Sequence, residues 1–262
     1  MGILNITPDS FSDGGRYNSV DNAIIHCEKM LEEGADIIDI GAESTRPFSD
    51  AVSETEEIAR IMQILPNLVK IFQKTLFSVD TYRSETAKIA LNEGVKMVND
   101  VTGGQYDEKI FAVTADFNAS YVLMHTKGMP KDMQVKPEYN DLLGEIKDFF
   151  AKQIRKAEKS GLRDIIIDPG FGFGKTIEHN FELLQGLDEL KGLGKEILVG
   201  VSRKSFIRKT LNADTQHCDN GTTVVNTIAL MKGAGILRVH NVKNAVEAQR
   251  IVSLIRPFPD TN

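Results

Sequence analysis

The sequence predicts an α/β protein, a single domain in which eight parallel strands and the helices between them close into a (β/α)8 TIM barrel. Three observations carry this prediction. Eight short apolar segments recur along the 262 residues, segments with helical spacing separate most of them, and a polar residue stands near the end of each. Eight strand–helix repeats in about 250 residues are typical of this barrel. A doubly wound open sheet is the alternative, and the count of eight favours the barrel.

The apolar segments have the length and composition of strands that are buried on both faces of a parallel sheet. In chain order they read MGILNI, ADIIDIG, TLFSVD, VKMVND, ASYVLMH, DIIIDP, EILVGVS and GILRVHN. Each is nearly continuous in apolar residues, whereas a strand with one face in solvent would alternate apolar and polar positions. We therefore expect a parallel sheet that is covered on both faces.

Segments with helical spacing lie between these strands. In residues 20–33, one side of the predicted helix carries the apolar positions Ala23, Ile24, Cys27, Met30 and Leu31. Similar spacing predicts further helices over residues 54–73, 83–93, 141–160, 178–191 and 241–255. Glycine is favoured where a helix ends in a left-handed cap, and three of these helices are followed by Gly34, Gly94 and Gly161.

Composition and charge disfavour several classes of function. The chain is 41% hydrophobic and 26% charged, as is ordinary for a globular protein, and it has no apolar run of about 18 residues. The net charge of −6 argues against a general nucleic-acid or membrane-surface binder. Cys27 and Cys218 match neither a disulfide framework nor a metal-ligand spacing, and no secretory signal is visible. We expect a cytoplasmic protein, or one in an organelle lumen if the chain is cut from a longer targeted protein.

The segment DPGFGFGKT, residues 168–176, looks like a phosphate-binding loop, but its spacing disfavours that function. Pro169 stands where a P-loop needs its first glycine, and proline has no amide hydrogen to donate. The dinucleotide pattern G-x-G-x-x-G fails as well, because Lys175 takes its third glycine position. We expect a tight loop after the sixth strand. Its Phe171 and Phe173 either present flat faces to a planar ligand or only pack the loop.

Polar side chains at the ends of the predicted strands are expected to meet at the carboxyl end of the barrel, where this fold carries its active sites. One group consists of Asp80, Asn99 and Asp168. Carboxylates and an amide can read a flat ligand edge that is rich in N–H donors. A single residue of this kind could simply cap a strand end, but eight in succession indicate an enzyme site.

A second group of polar residues is mostly cationic and suits a phosphate or diphosphate. It consists of Arg46, Arg238, His240 and Lys204, and Asn5 offers an oxygen to Mg²⁺. Taken alone, Arg46 could form a surface salt bridge and His240 a hydrogen bond at the edge of the core. Arg238 and His240 stand two residues apart in one strand, which points both side chains to the same side and favours a shared site.

Eight motifs follow one another on the eight predicted strands: MGILNITPDSFSDGG, GAESTRP, SVDT, VNDVTGG, LMHTKGMP, DPGFGFGK, GVSRKS and RVHNV. As a set they resemble the dihydropteroate synthases of folate biosynthesis. The resemblance implies a transferase that condenses 6-hydroxymethyl-7,8-dihydropterin diphosphate with 4-aminobenzoate, yielding 7,8-dihydropteroate and diphosphate with the assistance of Mg²⁺. It also implies that sulfonamides compete for the 4-aminobenzoate slot and that the protein is a homodimer.

The resemblance also implies a role for each polar residue at the carboxyl end. The pterin would be held by Asp80, Asn99, Asp168 and Lys204, of which Asp80, Asp168 and Lys204 would be catalytic. The diphosphate would be faced by Asn5, Thr45, Arg46, Arg238 and His240, with Asn5 as the metal ligand. The 4-aminobenzoate slot would be bordered by Phe173, Ser202 and Lys204. The loops TPDSFSDGG and STRPFSD are expected to close over the site.

Two features depart from the family pattern. Phe48 stands after STRP where the family usually has glycine, and this change either alters the loop or is a harmless surface difference. The chain begins almost inside the first strand. Residues 1–262 could therefore be a trimmed barrel domain or part of a longer bifunctional chain, for example one that carries hydroxymethyl-dihydropterin pyrophosphokinase, the preceding kinase of the pathway.

Two other functions stay open at this point. A pterin-binding methyltransferase shares the barrel and the acidic pterin pocket, but methyl transfer does not need the anion-binding groups of SRKS and RVHNV. A catalytically silent relative would bind a folate-like ligand or only a partner. The presence of Asn5, Asp80, Lys204, Arg238 and His240 disfavours that second alternative.

Overall fold

The computed structural model describes residues 1–6, 15–42, 52–128, 137–214 and 217–255. Eight parallel strands pair in chain order, each with the next. They are β1 (Gly2–Asn5), β2 (Ile37–Gly41), β3 (Leu76–Asp80), β4 (Met97–Asp100), β5 (Ser120–Met124), β6 (Ile165–Asp168), β7 (Glu196–Val199) and β8 (Ile236–Leu237). Each lies inside one of the eight apolar segments, so the strand prediction is confirmed.

The sheet closes on itself where the segment after β8 meets β1. Gly2 pairs with Val239 in a parallel bridge. Ile3 N donates to Val239 O at 3.0 Å, and Val239 N donates to Met1 O at 3.0 Å. An open doubly wound sheet would keep its two edge strands apart, so the barrel prediction is confirmed and the open-sheet alternative is wrong.

Helices surround the strands. They are α1 (Gly15–Glu32), α2 (Glu54–Ile71), α3 (Ser84–Asn92), α4 (Lys109–Asp116), α5 (Leu142–Lys159), α6 (Ile177–Gln185), α7 (Ser205–Leu211), α8 (Asp219–Met231) and α9 (Val242–Ile255). The predicted left-handed caps are confirmed, with φ of 97° at Gly34, 107° at Gly94 and 92° at Gly161. Within the described ranges, no helix combines the length and apolar character that a membrane span requires.

The helix prediction is wrong at four places. The helix predicted over 178–191 is divided at Gly186, and a 3-10 helix (Leu187–Leu193) follows α6. Gly186 packs closely on α5, because a Cβ there would lie 2.3 Å from Leu143 Cδ1. The helices α4, α7 and α8 were not predicted. The first two are only eight and seven residues long, too short to show a clear period, and α8 contains a β-branched run that favours a strand.

The barrel interior is apolar at its amino-terminal end. A separate cluster there takes one residue from the start of each strand segment, namely Met1, Ile37, Leu76, Met97, Val122, Ile166, Leu198 and Ile236. Two positions further along, the side chains that point the same way include Asp39, Ser78, Asn99, Asp168 and Arg238. The period of the strands therefore places a layer of polar groups directly above an apolar one, toward the carboxyl end.

A buried ion pair connects α2 with α3 outside the barrel. Arg83 Nη1 donates to Glu57 Oε2 at 2.6 Å, and Thr86 Oγ1 donates to the same oxygen at 2.9 Å. Glu57 is 1% exposed and Arg83 is 7% exposed. Because both charges are removed from water, each depends on the other for compensation.

Glu57→Ala is expected to lower the free energy of unfolding by about 3 kcal/mol, because the Arg83 guanidinium would stay buried without its carboxylate. Glu56→Ala is the matched control on the exposed side of the same helix and should cost less than about 1 kcal/mol. Urea denaturation of both variants at pH 7 measures the difference. Equal losses in the free energy of unfolding would show that the buried ion pair stabilises the fold no more than an exposed one.

Candidate active site

Four side chains from different strand segments form one hydrogen-bonded group toward the carboxyl end of the barrel. Arg238, just after β8, donates from Nε to Asp39 Oδ2 at 2.7 Å and from Nη2 to Asp80 Oδ2 at 2.7 Å. Asn99 Nδ2 donates to Asp39 Oδ2 at 3.0 Å. The guanidinium therefore lies across two acids that come from β2 and β3, and the amide of β4 joins them. We call Asp39, Asp80, Asn99 and Arg238 the acidic group.

Asp39 is absent from the predicted site residues, although it belongs to this group. It is fully buried, and its Oδ1 has no hydrogen-bond partner within the described part of the chain. A signal was present in the sequence, because a charged residue at an inward position of the apolar segment ADIIDIG requires a compensating partner. That partner, Arg238, is 199 residues away along the chain.

The charges of the acidic group influence one another. Burial raises the pKa of Asp80 to about 7; Arg238 opposes this rise, and Asp39 adds to it. Burial also disfavours the charge of Arg238, but Asp39 and Asp80 outweigh it and raise the pKa of the guanidinium. One cation thus serves two buried carboxyl groups, which suits a ligand that brings N–H donors of its own.

Asp168 ends β6 on the opposite side of the mouth. Gly170 N donates to its Oδ1 at 2.7 Å. Burial raises the pKa of Asp168, and Lys204 is the strongest opposing influence. The space between Asp168 and Arg238 is kept open by Gly200, where a Cβ would lie 3.9 Å from Asp168 Oδ2 and 3.8 Å from Arg238 Cβ. A flat ring could therefore lie between Asp168 and the acidic group.

Lys204 lies between the acid of β6 and an aromatic ring. Its Nζ donates to Phe171 O and lies 4.5 Å from the ring centroid of Phe173. Burial lowers the pKa of Lys204 to about 8, with Asp168 opposing the shift. Phe171 is fully buried and stacks on Phe206, so it packs the loop, whereas Phe173 is only partly buried at the mouth. Of the two phenylalanines, Phe173 is the one that can meet a ligand.

The remaining predicted residues lie at the ends of β1, β7 and β8. His240 N donates to Ser202 Oγ at 3.2 Å, and His240 Nδ1 lies 3.0 Å from the same oxygen. Asn5 is exposed at the end of β1. Its Oδ1 and the Cβ of Asp80 would each lie 3.6 Å from a Cβ at Gly41, so the missing side chain leaves room between Asn5 and Asp80.

The structure brings most of the predicted site residues to one end of the barrel. They are Asn5, Asp80, Asn99, Asp168, Phe173, Ser202, Lys204, Arg238 and His240. Thr45, Arg46 and Phe48 lie outside the described residues, as do the predicted closing loops TPDSFSDGG, apart from its last glycine, and STRPFSD. Arg238 has two carboxylate partners in the structure, and a contact with diphosphate stays a prediction.

Known proteins resemble this chain over nearly its whole length. Residues 1–240 match the family model described as pterin binding enzyme. The dihydropteroate synthase of Synechocystis sp. is 44% identical over 258 residues, which cover 97% of this chain and 89% of that protein. The chain belongs to the dihydropteroate synthase family. As members of this family are transferases, the predicted enzyme class is confirmed.

Solved structures of dihydropteroate synthases share the barrel. The Yersinia pestis synthase, crystallised as a sulfonamide drug complex, matches with a TM-score of 0.92 and 42% identity over 98% of this chain and 94% of that chain. The Clostridium difficile synthase, crystallised in the presence of pteroic acid, matches with a TM-score of 0.92 and 41% identity over 98% and 95% of the two chains. These matches favour the synthase over the methyltransferase alternative.

Arg238→Met is expected to lower the free energy of unfolding by about 3 kcal/mol at pH 8, because Asp39 and Asp80 would stay buried without the guanidinium. The loss should be smaller at pH 5. Burial raises the pKa of folded Asp80 to about 7, above its unfolded value of about 3.9. Arg238 lowers this folded pKa, so its removal lets the pKa of Asp80 rise further. As the pH falls, the folded variant therefore takes up the proton before the folded wild type does, and protonation recovers part of the loss.

Urea denaturation at pH 5 and pH 8 measures this effect. Arg155→Met, at an exposed position of α5, is the control and should show no such dependence on pH. A loss in Arg238→Met that is the same at both pH values would contradict the role of Arg238 as the counter-ion of buried acids.

Proposed function

We propose that this protein condenses 6-hydroxymethyl-7,8-dihydropterin diphosphate with 4-aminobenzoate to give 7,8-dihydropteroate and diphosphate. The observation that carries the proposal is the presence of Asp168, Lys204 and the acidic group at one barrel mouth, in a chain of the dihydropteroate synthase family. Carboxylates and an amide suit the N–H edge of a pterin, and Lys204 can donate to the ring's acceptor atoms.

The diphosphate belongs on the side of Asn5 and His240, with Arg238 beside them. Asn5 supplies one hard oxygen, and within the described residues no three His, Cys, Asp or Glu side chains form a metal cluster. This donor set fits Mg²⁺, which is commonly held by few protein ligands together with waters and phosphate oxygens. When bound, Mg²⁺ would neutralise charge on the departing diphosphate. Thr45 and Arg46 remain candidates for the same subsite.

The reaction requires no protein nucleophile. The bond between the pterin methylene carbon and the diphosphate oxygen breaks, and its electron pair leaves with the diphosphate. Asp80 and Asp168 stabilise the positive charge that develops on the pterin. The amine nitrogen of 4-aminobenzoate forms the new bond to carbon and then loses a proton. Phe173, Ser202 and Lys204 border the slot for this second substrate, where sulfonamides would compete.

The test of the proposal is product formation by the purified protein with Mg²⁺ and both substrates. We expect 7,8-dihydropteroate only when the pterin diphosphate and 4-aminobenzoate are both present. A folded protein that binds pterin but forms no product would support the catalytically silent relative instead.

Lys204→Met is expected to lower kcat/KM for the pterin diphosphate by roughly 10- to 100-fold, the effect of losing one or two charge-assisted hydrogen bonds. Lys209→Met, at an exposed position of α7, is the control and should match the wild type. Because the pKa of Lys204 is about 8, wild-type kcat/KM should fall as the pH rises through 8. Equal activities of the two variants would exclude Lys204 from the site.

We also propose that the protein forms a homodimer through α8 and α9. Both helices carry exposed apolar stripes, with Val224, Ile228 and Met231 on α8 and Ile251, Leu254 and Ile255 on α9. Leu254 is 87% exposed. Neighbouring helices with this much exposed apolar surface commonly mark a protein contact, and a second copy of the chain brings the same apolar surface.

Ile228→Glu combined with Leu254→Glu is expected to produce a monomer, because charges would be buried at the contact. Ile71→Glu, at an exposed position of α2, is the control and should leave the dimer intact. Light scattering coupled to gel filtration measures the mass. A dimer that survives the double substitution would place the contact elsewhere.

A cytoplasmic location is part of the same proposal. Neither Cys27 nor Cys218 forms a disulfide, and both are buried, which suits a reducing compartment.

A further inference from the structure

Lys175 has no role in the site as described so far, although it is a buried cation next to it. It is 3% exposed and belongs to the loop that joins β6 to α6, and its side chain contacts earlier residues of that loop. Its Nζ donates to Gly170 O at 3.0 Å and to Phe173 O at 3.1 Å, and it lies 3.0 Å from His125 Nδ1. Three acceptors thus match the three protons of an ammonium group.

His125 can act as the third acceptor because its ring is neutral. Burial lowers the pKa of His125 to about 2, and Lys175 and Lys127 add to the shift. A neutral ring that accepts at Nδ1 carries its proton on Nε2. The ring is held in place by Phe149, whose centroid lies 5.0 Å away in an edge-to-face arrangement.

The loop can wrap around Lys175 only because of its glycines. Gly170, Gly172 and Gly174 have φ of 70°, 78° and 58°, in the left-handed region that other residues disfavour. A Cβ at Gly170 would lie 1.9 Å from His125 O, so the loop is packed directly on the end of β5. These turns direct the carbonyl groups of Gly170 and Phe173 inward, onto the Lys175 ammonium.

The opposite face of the same loop bears the groups that meet the site. Gly170 N holds Asp168 Oδ1, Phe171 O accepts from Lys204, and the Phe173 ring lies against the Lys204 ammonium. Gly170 and Phe173 accept hydrogen bonds from Lys175 through their carbonyl groups, and Phe171 lies between them in the chain. A displacement of the loop would therefore move Phe173 and Lys204 together.

We propose that Lys175 is a positioning residue, which anchors residues 170–174 and so places Phe173 and Lys204 for the second substrate. The substrate part of this inference rests on the proposed function, and the anchoring part does not. Lys175 acts through other residues, because the described partners of its Nζ are Gly170 O, Phe173 O and His125 Nδ1.

Hydrogen exchange of the ligand-free protein tests the anchor directly. Three loop amides are hydrogen-bonded and report on it: Gly170 N to Asp168 Oδ1, Gly172 N to Asn180 Oδ1 and Phe173 N to Gly170 O. In Lys175→Met, we expect faster exchange at these amides and unchanged exchange in β3, β4 and α2. Lys152→Met, at an exposed position of α5, is the control. The comparison is made at pH 6.5, because burial lowers the pKa of Lys175 to about 7.

Steady-state kinetics tests the positioning. A small misplacement of reacting groups costs up to about 100-fold, so KM for 4-aminobenzoate should rise by roughly 10- to 100-fold in Lys175→Met. Affinity for the pterin should change by a smaller factor, because Asp80 and Asn99 hold the pterin without contacting this loop, whereas Phe173 and Lys204 both border the second slot. A purely structural role would lower thermal stability and speed exchange throughout the chain without this selective change in KM, and that result would overturn the proposal.

Two substitutions at His125 test the anchor even if Lys175→Met does not fold. His125→Asn retains an acceptor near the position of Nδ1 and should stay close to the wild type. His125→Leu removes the acceptor and should show faster loop exchange and a higher KM for 4-aminobenzoate. Identical behaviour of these two variants would overturn the anchor. A wild type without synthase turnover would overturn the proposed function, while the exchange comparison would still decide the anchor.

Discussion

The compensation of two buried carboxyl groups by Arg238 is the interaction on which the mouth of this barrel depends. Asp39 and Asp80 come from neighbouring strands, and either one would be costly to bury alone. Their counter-ion comes from the far end of the chain, just after β8. It reaches them because the segment after β8 pairs with β1 and closes the sheet. The backbone pairing that closes the barrel therefore also brings the counter-ion to the two buried acids.

On the opposite side of the mouth, cations again compensate a buried carboxyl group. Burial raises the pKa of Asp168, and the cations Lys204, Arg238 and Lys175 oppose this rise in that order. Burial lowers the pKa of both lysines and Asp168 opposes that shift, so the acid and the cations favour each other's charged forms. Gly200 leaves space between the two sides, and Gly41 leaves space between Asn5 and Asp80. A pocket of this kind selects a flat ligand with many N–H donors.

The sequence predicts the barrel well because each strand is short, apolar and buried on both faces. It also predicts which polar residues meet at one end of the barrel, since the fold brings strand ends together. Asp39 and the partners of Arg238 were not predicted, because they depend on strand register and on a contact across 199 residues. The helices α4 and α7 were missed because seven or eight residues hardly show a period. Phe171 and Phe173 look equivalent in the sequence, and only packing distinguishes them.

We expect the mouth to bind a pterin ring without diphosphate or metal, because its buried carboxyl groups are already held in place by hydrogen bonds. Calorimetric titration with 6-hydroxymethylpterin in the absence of Mg²⁺ and diphosphate tests it most directly. The account predicts saturable binding of one ligand per chain, abolished in Asp168→Asn and unchanged in Asp148→Asn, an exposed control on α5. Absence of binding by the folded wild type, or equal binding by both variants, would contradict it.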